Sequence, residues 1–265
     1  MVREFEHKNF WAIILGGSRG LGLASALKLA EHGMNICIIH RDRRTDIEKI
    51  NKYFEQIKNE NVQFISFNLD GLKSENILLI LESLKEKMGE NGKVKTFIHS
   101  VAKGHLKAMV HDHQSTLTNE DFLITLNAMA ISLYDWTKAI FTGSLFSSDA
   151  RILAFTSEGN SKAWPNYGAV SAAKAALEAI SRNIALEFAP FGLRSNCIQA
   201  GVTDTASFKM IPNSDSIKEF TRQRNPFKRL TTPIDVANVV YLLCKEEAAW
   251  INGTVIPVNG GEHIN

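Results

Sequence analysis

Three cysteines, six prolines and no large excess of either charge set the first limits on this chain of 265 residues. Cys37, Cys197 and Cys244 are odd in number, widely spaced and set in apolar segments, so they offer no disulfide framework and read as reduced packing residues. No run of about 18 apolar residues is present, which excludes a membrane-spanning helix. The opening Met-Val-Arg-Glu-Phe-Glu-His-Lys lacks the apolar core of a signal peptide, so a cytoplasmic location is expected. A net charge of +2 calls for no nucleic acid or membrane surface. Repeats, low-complexity stretches and linkers are also missing, and 45% hydrophobic content suffices for one large core, so a single domain over residues 1–265 is expected.

What the chain does have is alternation. Short apolar runs suited to buried parallel strands occur at 11–15, 34–40, 62–67, 95–100, 151–156, 193–199 and 253–258. Helical patterns lie between them, at 23–32, 46–58, 72–88, from the Thr118-Asn-Glu-Asp121 start to about 142, from 167 to about 189, and at 232–245. Strand and helix in regular succession predict a Rossmann-like, doubly wound α/β sheet of about seven strands, with the ligand at the carboxyl ends of the strands.

Two stretches carry chemistry. Gly16-Gly-Ser-Arg-Gly-Leu-Gly22 joins the first strand to the first helix. Glycines there admit close backbone approach, and the helix start offers free N–H groups to a phosphate. The second stretch, Asn166-Tyr-Gly-Ala-Val-Ser-Ala-Ala-Lys174, sets a phenol seven residues ahead of an ammonium, close to two helical turns. A phenol donates a proton poorly at neutral pH unless a cation stabilises its phenolate, so Tyr167 and Lys174 are the candidate acid and its electrostatic partner.

These stretches resemble the short-chain dehydrogenase/reductase family. Gly16, Gly20 and Gly22 match its Gly-x-x-x-Gly-x-Gly turn, with Leu15 where a Thr is usual. In common members the Tyr lies four residues before the Lys, a position held here by Val170. The Tyr-x6-Lys spacing resembles the enoyl-acyl-carrier-protein reductase branch, as do His99-Ser-Val-Ala102 and the Ala200-Gly turn. Such a shift makes physical sense: an enoyl reductase delivers hydride three bonds from the thioester oxygen, so its oxyanion partner must sit farther from the nicotinamide.

The resemblance implies further roles. Asn127 matches the family's active-site Asn, which helps hold a proton-relaying water, though it can equally be a structural hydrogen-bonding residue. Ser157 lies thirteen residues before Val170, the family spacing of the catalytic Ser. It either bonds a substrate oxygen or caps the strand end. Contacts to the dinucleotide are expected from Gly16, Ser18, Arg19, Gly20, Leu21, Gly22, His40, Arg41, Asp70, Ser100, Ala102, Lys174, Gly201, Val202, Thr203 and Thr205. Asp70 is expected at the adenine or as a helix cap. The second strand ends in His40, Arg41, Arg43 and Arg44 where NAD enzymes place an acid. With Arg19 this favours NADP(H), whose 2′-phosphate suits guanidinium forks, with Arg19 and Arg41 as the clamp; a solvated basic turn containing Asp42 is the alternative.

Residues 202–230 read as a mobile lid over the substrate. From 207 to 229 it carries Lys209, Lys218, Arg222, Arg224, Lys228 and Arg229 against Asp215 and Glu219, a basic face for an acidic carrier protein or simply for water. His105, His111 and His113 lack metal-ligand spacing, and no metal site is expected. The expected activity is an NADPH-dependent enoyl-acyl-carrier-protein reductase acting on an acyl thioester of carrier protein or coenzyme A, with a homotetramer implied by the family. A ketoacyl-thioester or other carbonyl reductase, and a non-catalytic dinucleotide sensor, are the alternatives.

Overall fold

The computed structural model describes residues 2–264. Seven parallel strands form one sheet in the order β3-β2-β1-β4-β5-β6-β7. They are β1 (Phe10–Leu15), β2 (Asn35–His40), β3 (Phe64–Asn68), β4 (Lys93–His99), β5 (Phe146–Thr156), β6 (Leu193–Ala200) and β7 (Val255–Val258). Helices cover both faces: α1 (Gly20–Glu31), α2 (Ile47–Lys58), α3 (Ser74–Met88), α4 (Asn119–Leu126), α5 (Ser132–Thr142), α6 (Gly168–Glu187), α7 (Ser214–Arg224) and α8 (Pro233–Cys244).

Strand side chains alternate between faces, and β1 shows the result. Trp11, Ile13 and Leu15 join one core with Phe97, Trp136 and Leu177, whereas Ala12 and Ile14 join the other with Leu29, Phe54 and Val240. Both faces of the sheet are thereby dry, which explains why the strands read as continuous apolar runs. Because β1 pairs with β2 on one side and β4 on the other, the chain order reverses there. The crevice at the carboxyl ends of β1 and β4 is the place where such sheets bind ligands.

Three features depart from the sequence reading. Instead of one helix to residue 142, a π turn at Asn127–Ile131 separates α4 from α5. An inserted residue of this kind does not disturb the apolar pattern enough to be read, yet it re-aims the helix face. β5 begins at Phe146, five residues earlier than its apolar run. The segment 202–230, expected as a lid, contains α7, and its two ends meet: Thr203 and Thr231 form a β-bridge, with Thr231 N–H donating to Val202 O at 3.1 Å.

Candidate active site

The turn after β1 is built by close approach. A Cβ on Gly16 would lie 2.3 Å from the Ser100 carbonyl oxygen, and one on Gly22 would lie 2.4 Å from the Gly16 carbonyl oxygen. Gly16 and Gly20 have φ of +88° and +59°, in the region that favours glycine. Arg19 precedes α1 without a side-chain cap bond, and no acid occupies the first turn, so the N–H groups around Gly20, Leu21 and Gly22 face outward for an anion. Thr205 closes this side, with its Cγ2 3.5 Å from where a Cβ on Gly20 would be. These residues fit a dinucleotide pyrophosphate.

At the end of β2 the charges are already engaged. Arg19 pairs with Asp42 and, at 3.1 Å, with Asp46; His40 Nδ1 lies 2.9 Å from Asp42. Burial raises the Asp42 carboxyl, but bonds from Ser18, His40 and Arg19 outweigh it and hold it low. Burial likewise lowers His40, so its ring is neutral at physiological pH. Arg41 donates to Asp70 at 2.7 Å, while Asp70 also accepts from Leu72 N–H at 3.2 Å. Asp70 is thus the counter-ion of Arg41 and holds the turn before α3, but it does not cap that helix, whose N-cap is Lys73 without a side-chain bond.

Across the crevice, Ser100 N–H donates to Leu15 O at 2.8 Å and Ala102 is exposed in the loop beyond. Gly201 N–H donates to Val258 O at 3.1 Å, and the Thr203 hydroxyl donates to Gly201 O at 2.9 Å. Val202 N–H reaches Glu262 at 3.4 Å. Apart from Lys174, which lies on α6, the residues expected at the nucleotide sit at or just after the carboxyl ends of five strands, β1, β2, β3, β4 and β6.

Tyr167 stands immediately before α6 and is positioned by a tight turn, Asn166 having φ of +65°. Trp164 lies beside it, ring centroids 6.3 Å apart. Burial raises the Tyr167 pKa, with Ser157 acting against the shift, so the group is a phenol at neutral pH. Ser157 Oγ is buried beside that ring but makes no hydrogen bond of acceptable geometry, which leaves it for a substrate or water. Lys174 is buried and donates to the Phe155 carbonyl at 2.6 Å. Burial brings its ammonium down to about 8, against the opposing effects of Cys197 and Glu178.

Val170 lies in an apolar cluster against which Tyr167 packs. It packs with Ala128, Met129 and Ala173, sealing the position one turn nearer the lysine. Asn127 begins the π turn and is exposed, so its side chain is not a buried structural group.

A cavity of about 510 Å³ opens beside Tyr167, lined on one side by Met109 and Val110 and on the other by Trp164 and Pro165. Its loop is fastened to α4 by Asp121, which accepts both bonds from Lys107 at 2.9 Å and caps Thr118. The lid is fastened by Arg224, whose guanidinium lies 2.7 Å from Glu158 and 2.5 Å from Glu262. Lys218 pairs with Asp204 and Asp215, and Arg229 with Asp235, so much of the expected basic face is satisfied within the chain. Sequence reasoning missed Trp164, Met109, Glu158 and Glu262, none of which lies in a recognisable spacing. His111 and His113 bond locally, and no group of three or more potential ligands capable of holding a metal was found among the described residues.

A family model described as enoyl-(acyl carrier protein) reductase matches residues 16–263. The chain belongs to the short-chain dehydrogenase/reductase family. Among its relatives, 1-cyclohexenylcarbonyl-CoA reductase of Streptomyces collinus is 24% identical over 96% of this chain and 86% of its own length. The 3-oxoacyl-[acyl-carrier-protein] reductase FabG of Staphylococcus epidermidis is also 24% identical, covering 96% and 98%. The solved enoyl-[acyl-carrier-protein] reductase (NADH) of Aquifex aeolicus superposes with a TM-score of 0.83 at 25% identity, covering 98% of each chain. Similar chains have been solved with NAD and with NADP bound. This short-chain reductase is accordingly an oxidoreductase, and no described helix is long and apolar enough to cross a membrane.

Proposed function

We propose that this short-chain reductase reduces the trans-2 double bond of an acyl thioester in fatty-acid synthesis, with NADPH as reductant. The observation that carries the reading is the position of the phenol: Tyr167 stands ahead of α6, seven residues from Lys174, while Val170 fills the nearer position with hydrocarbon. When bound, NADPH would supply hydride to the β-carbon of the thioester, and the α-carbon of the resulting enolate would take a proton from solvent. Tyr167, a phenol at neutral pH, donates a hydrogen bond to the thioester oxygen as it gains enolate charge. Lys174 holds the nicotinamide ribose hydroxyls and lends positive charge to the same region. Ser157 lies beside Tyr167 and is a second donor. The cavity against Trp164 and Met109 takes the acyl chain, and its apolar walls exclude water there.

The preference for NADPH rests on Arg19 and Arg41, whose present partners Asp42, Asp46 and Asp70 would share them with a 2′-phosphate. Carrier protein or coenzyme A bears the substrate, the assembly is a homotetramer and the enzyme works in the cytoplasm. A carbonyl reductase is the second reading, favoured by Ser157 lying next to Tyr167. Mixing the protein with NADPH and either crotonyl or acetoacetyl thioester separates them. Loss of cofactor absorbance with crotonyl thioester is expected; turnover of acetoacetyl thioester alone would transfer the assignment to carbonyl reduction, and binding without either turnover would make the protein a sensor.

A further inference from the structure

Successive turns of α6 grip successive residues of β5. Lys174 takes the Phe155 carbonyl at 2.6 Å. One turn later, Glu178 Oε1 accepts from the Thr156 hydroxyl at 2.5 Å and from the Asn160 amide at 2.7 Å. Thr156 and Asn160 bracket Ser157, so a single carboxylate holds both ends of the turn that carries it. Glu178 is 8% exposed. A carboxylate in such surroundings persists only where hydrogen bonds and a nearby cation stabilise its charge, and both are present here.

The groups facing Lys174 come from four elements. β5 offers the Phe155 carbonyl, and β6 offers Cys197, a neutral thiol that burial pushes up to about 11. β4 offers His99, brought down to about 3 by burial and then by Lys174 itself, hence neutral. Its Nε2 lies 2.7 Å from the Ser132 hydroxyl. On α6 itself stands Glu178. Of these groups Glu178 is the one carboxylate, and it acts to raise the Lys174 pKa.

We propose that Glu178 is a positioning residue of the reductase site, fixing the Ser157 turn against the Tyr167 helix and supplying the negative charge that faces Lys174. This rests on the reading of Tyr167 and Lys174 as the reductase pair. The test uses Glu178→Gln and Glu178→Leu in the full-length protein. Glutamine retains an oxygen that accepts hydrogen bonds and removes only the charge. NADPH binding, followed by cofactor fluorescence across pH, reports on Lys174 without requiring turnover. The alkaline loss of affinity is expected to begin about one pH unit lower in Glu178→Gln than in the wild type, because the ammonium has lost its anion. At neutral pH this variant keeps its rate within about threefold, while Glu178→Leu also loses about tenfold or more in kcat as the Ser157 turn is released.

A purely structural Glu178 would lower the melting temperature of both variants and leave the alkaline limb in place; an unshifted limb in Glu178→Gln overturns the proposal even if Glu178→Leu fails to fold. Should the wild type bind NADPH yet leave crotonyl thioester untouched, the enoyl reading fails while the binding limb still decides the role of Glu178.

Discussion

Replacing Arg224 by Met tests how the lid is held. Its guanidinium sits between Glu158 and Glu262, whose side chains are 8% and 1% exposed, and is itself 13% exposed. After the substitution Glu158 keeps Lys162 at 2.9 Å, whereas the carboxylate of Glu262 loses its guanidinium and keeps a long contact from Val202 N–H at 3.4 Å. Removing one partner of a buried ion pair costs about 3–5 kcal/mol, mainly because a charge stays behind without compensation. For a chain of this size that corresponds to a fall in Tm of roughly 5–9 °C.

The pH dependence gives the prediction its sign. In the wild type, burial pushes the Glu158 carboxyl up, but Arg224 and Lys162 outweigh burial and hold it below its usual range. Its stabilising contribution is therefore present above the unfolded-state pKa and is lost as pH falls through the lowered folded value. In Arg224→Met burial is opposed by Lys162 alone, the folded pKa rises, and mild acid then stabilises the variant by protonating the buried group. Thermal melts monitored by tryptophan fluorescence at neutral pH and near pH 5.5 should show the gap between the two proteins narrowing in acid. A deficit below about 1 kcal/mol, or one that widens on acidification, would refute the argument that Arg224 compensates buried charge.

Three further outcomes are expected. Tyr167→Phe should lower kcat about 10²- to 10³-fold with NADPH affinity unchanged, measured by steady-state kinetics and cofactor titration; a small loss would remove Tyr167 from the reaction. Gly159→Ala places a methyl 2.5 Å from Tyr167 Cε1, so the ring must move and crotonyl-thioester turnover should fall at least about tenfold, with cofactor binding retained. Converting both Arg19 and Arg41 to Ala should weaken NADPH about a hundredfold through two lost charge-assisted contacts, while NADH binding changes little; equal losses for both cofactors would show that the clamp does not read the 2′-phosphate.

The parts of the site that were legible in the sequence are those whose chemistry is local. The glycine turn, the Tyr167 and Lys174 spacing and the strand runs each depend on residues within one or two elements, and the structure forms the seven strands, the turn after β1 and the helix carrying Lys174. Helix α7 was not legible, because Ser-Asp-Ser-Ile-Lys-Glu-Phe-Thr-Arg-Gln-Arg has no apolar stripe, and it is tied down by Arg224 and the buried Thr221 rather than by a hydrophobic face. Glu178 was equally hidden. A Glu on a helix reads as solvent-facing, and its partners Thr156 and Asn160 are 22 and 18 residues away in sequence. The Arg19 clamp was read with Asp42 only as part of an alternative basic turn, and Asp46, which meets it just before α2, was not read as its partner.

The bridge between Thr203 and Thr231 has an evolutionary corollary. A segment whose two feet are pinned to each other is a cassette: its contents can be lengthened or exchanged without altering the frame, since each doubling of such a loop costs only about 0.6 kcal/mol in closure entropy. Changes in the size of molecule admitted should therefore accumulate between those two threonines, while the glycine turn and the phenol stay where they are.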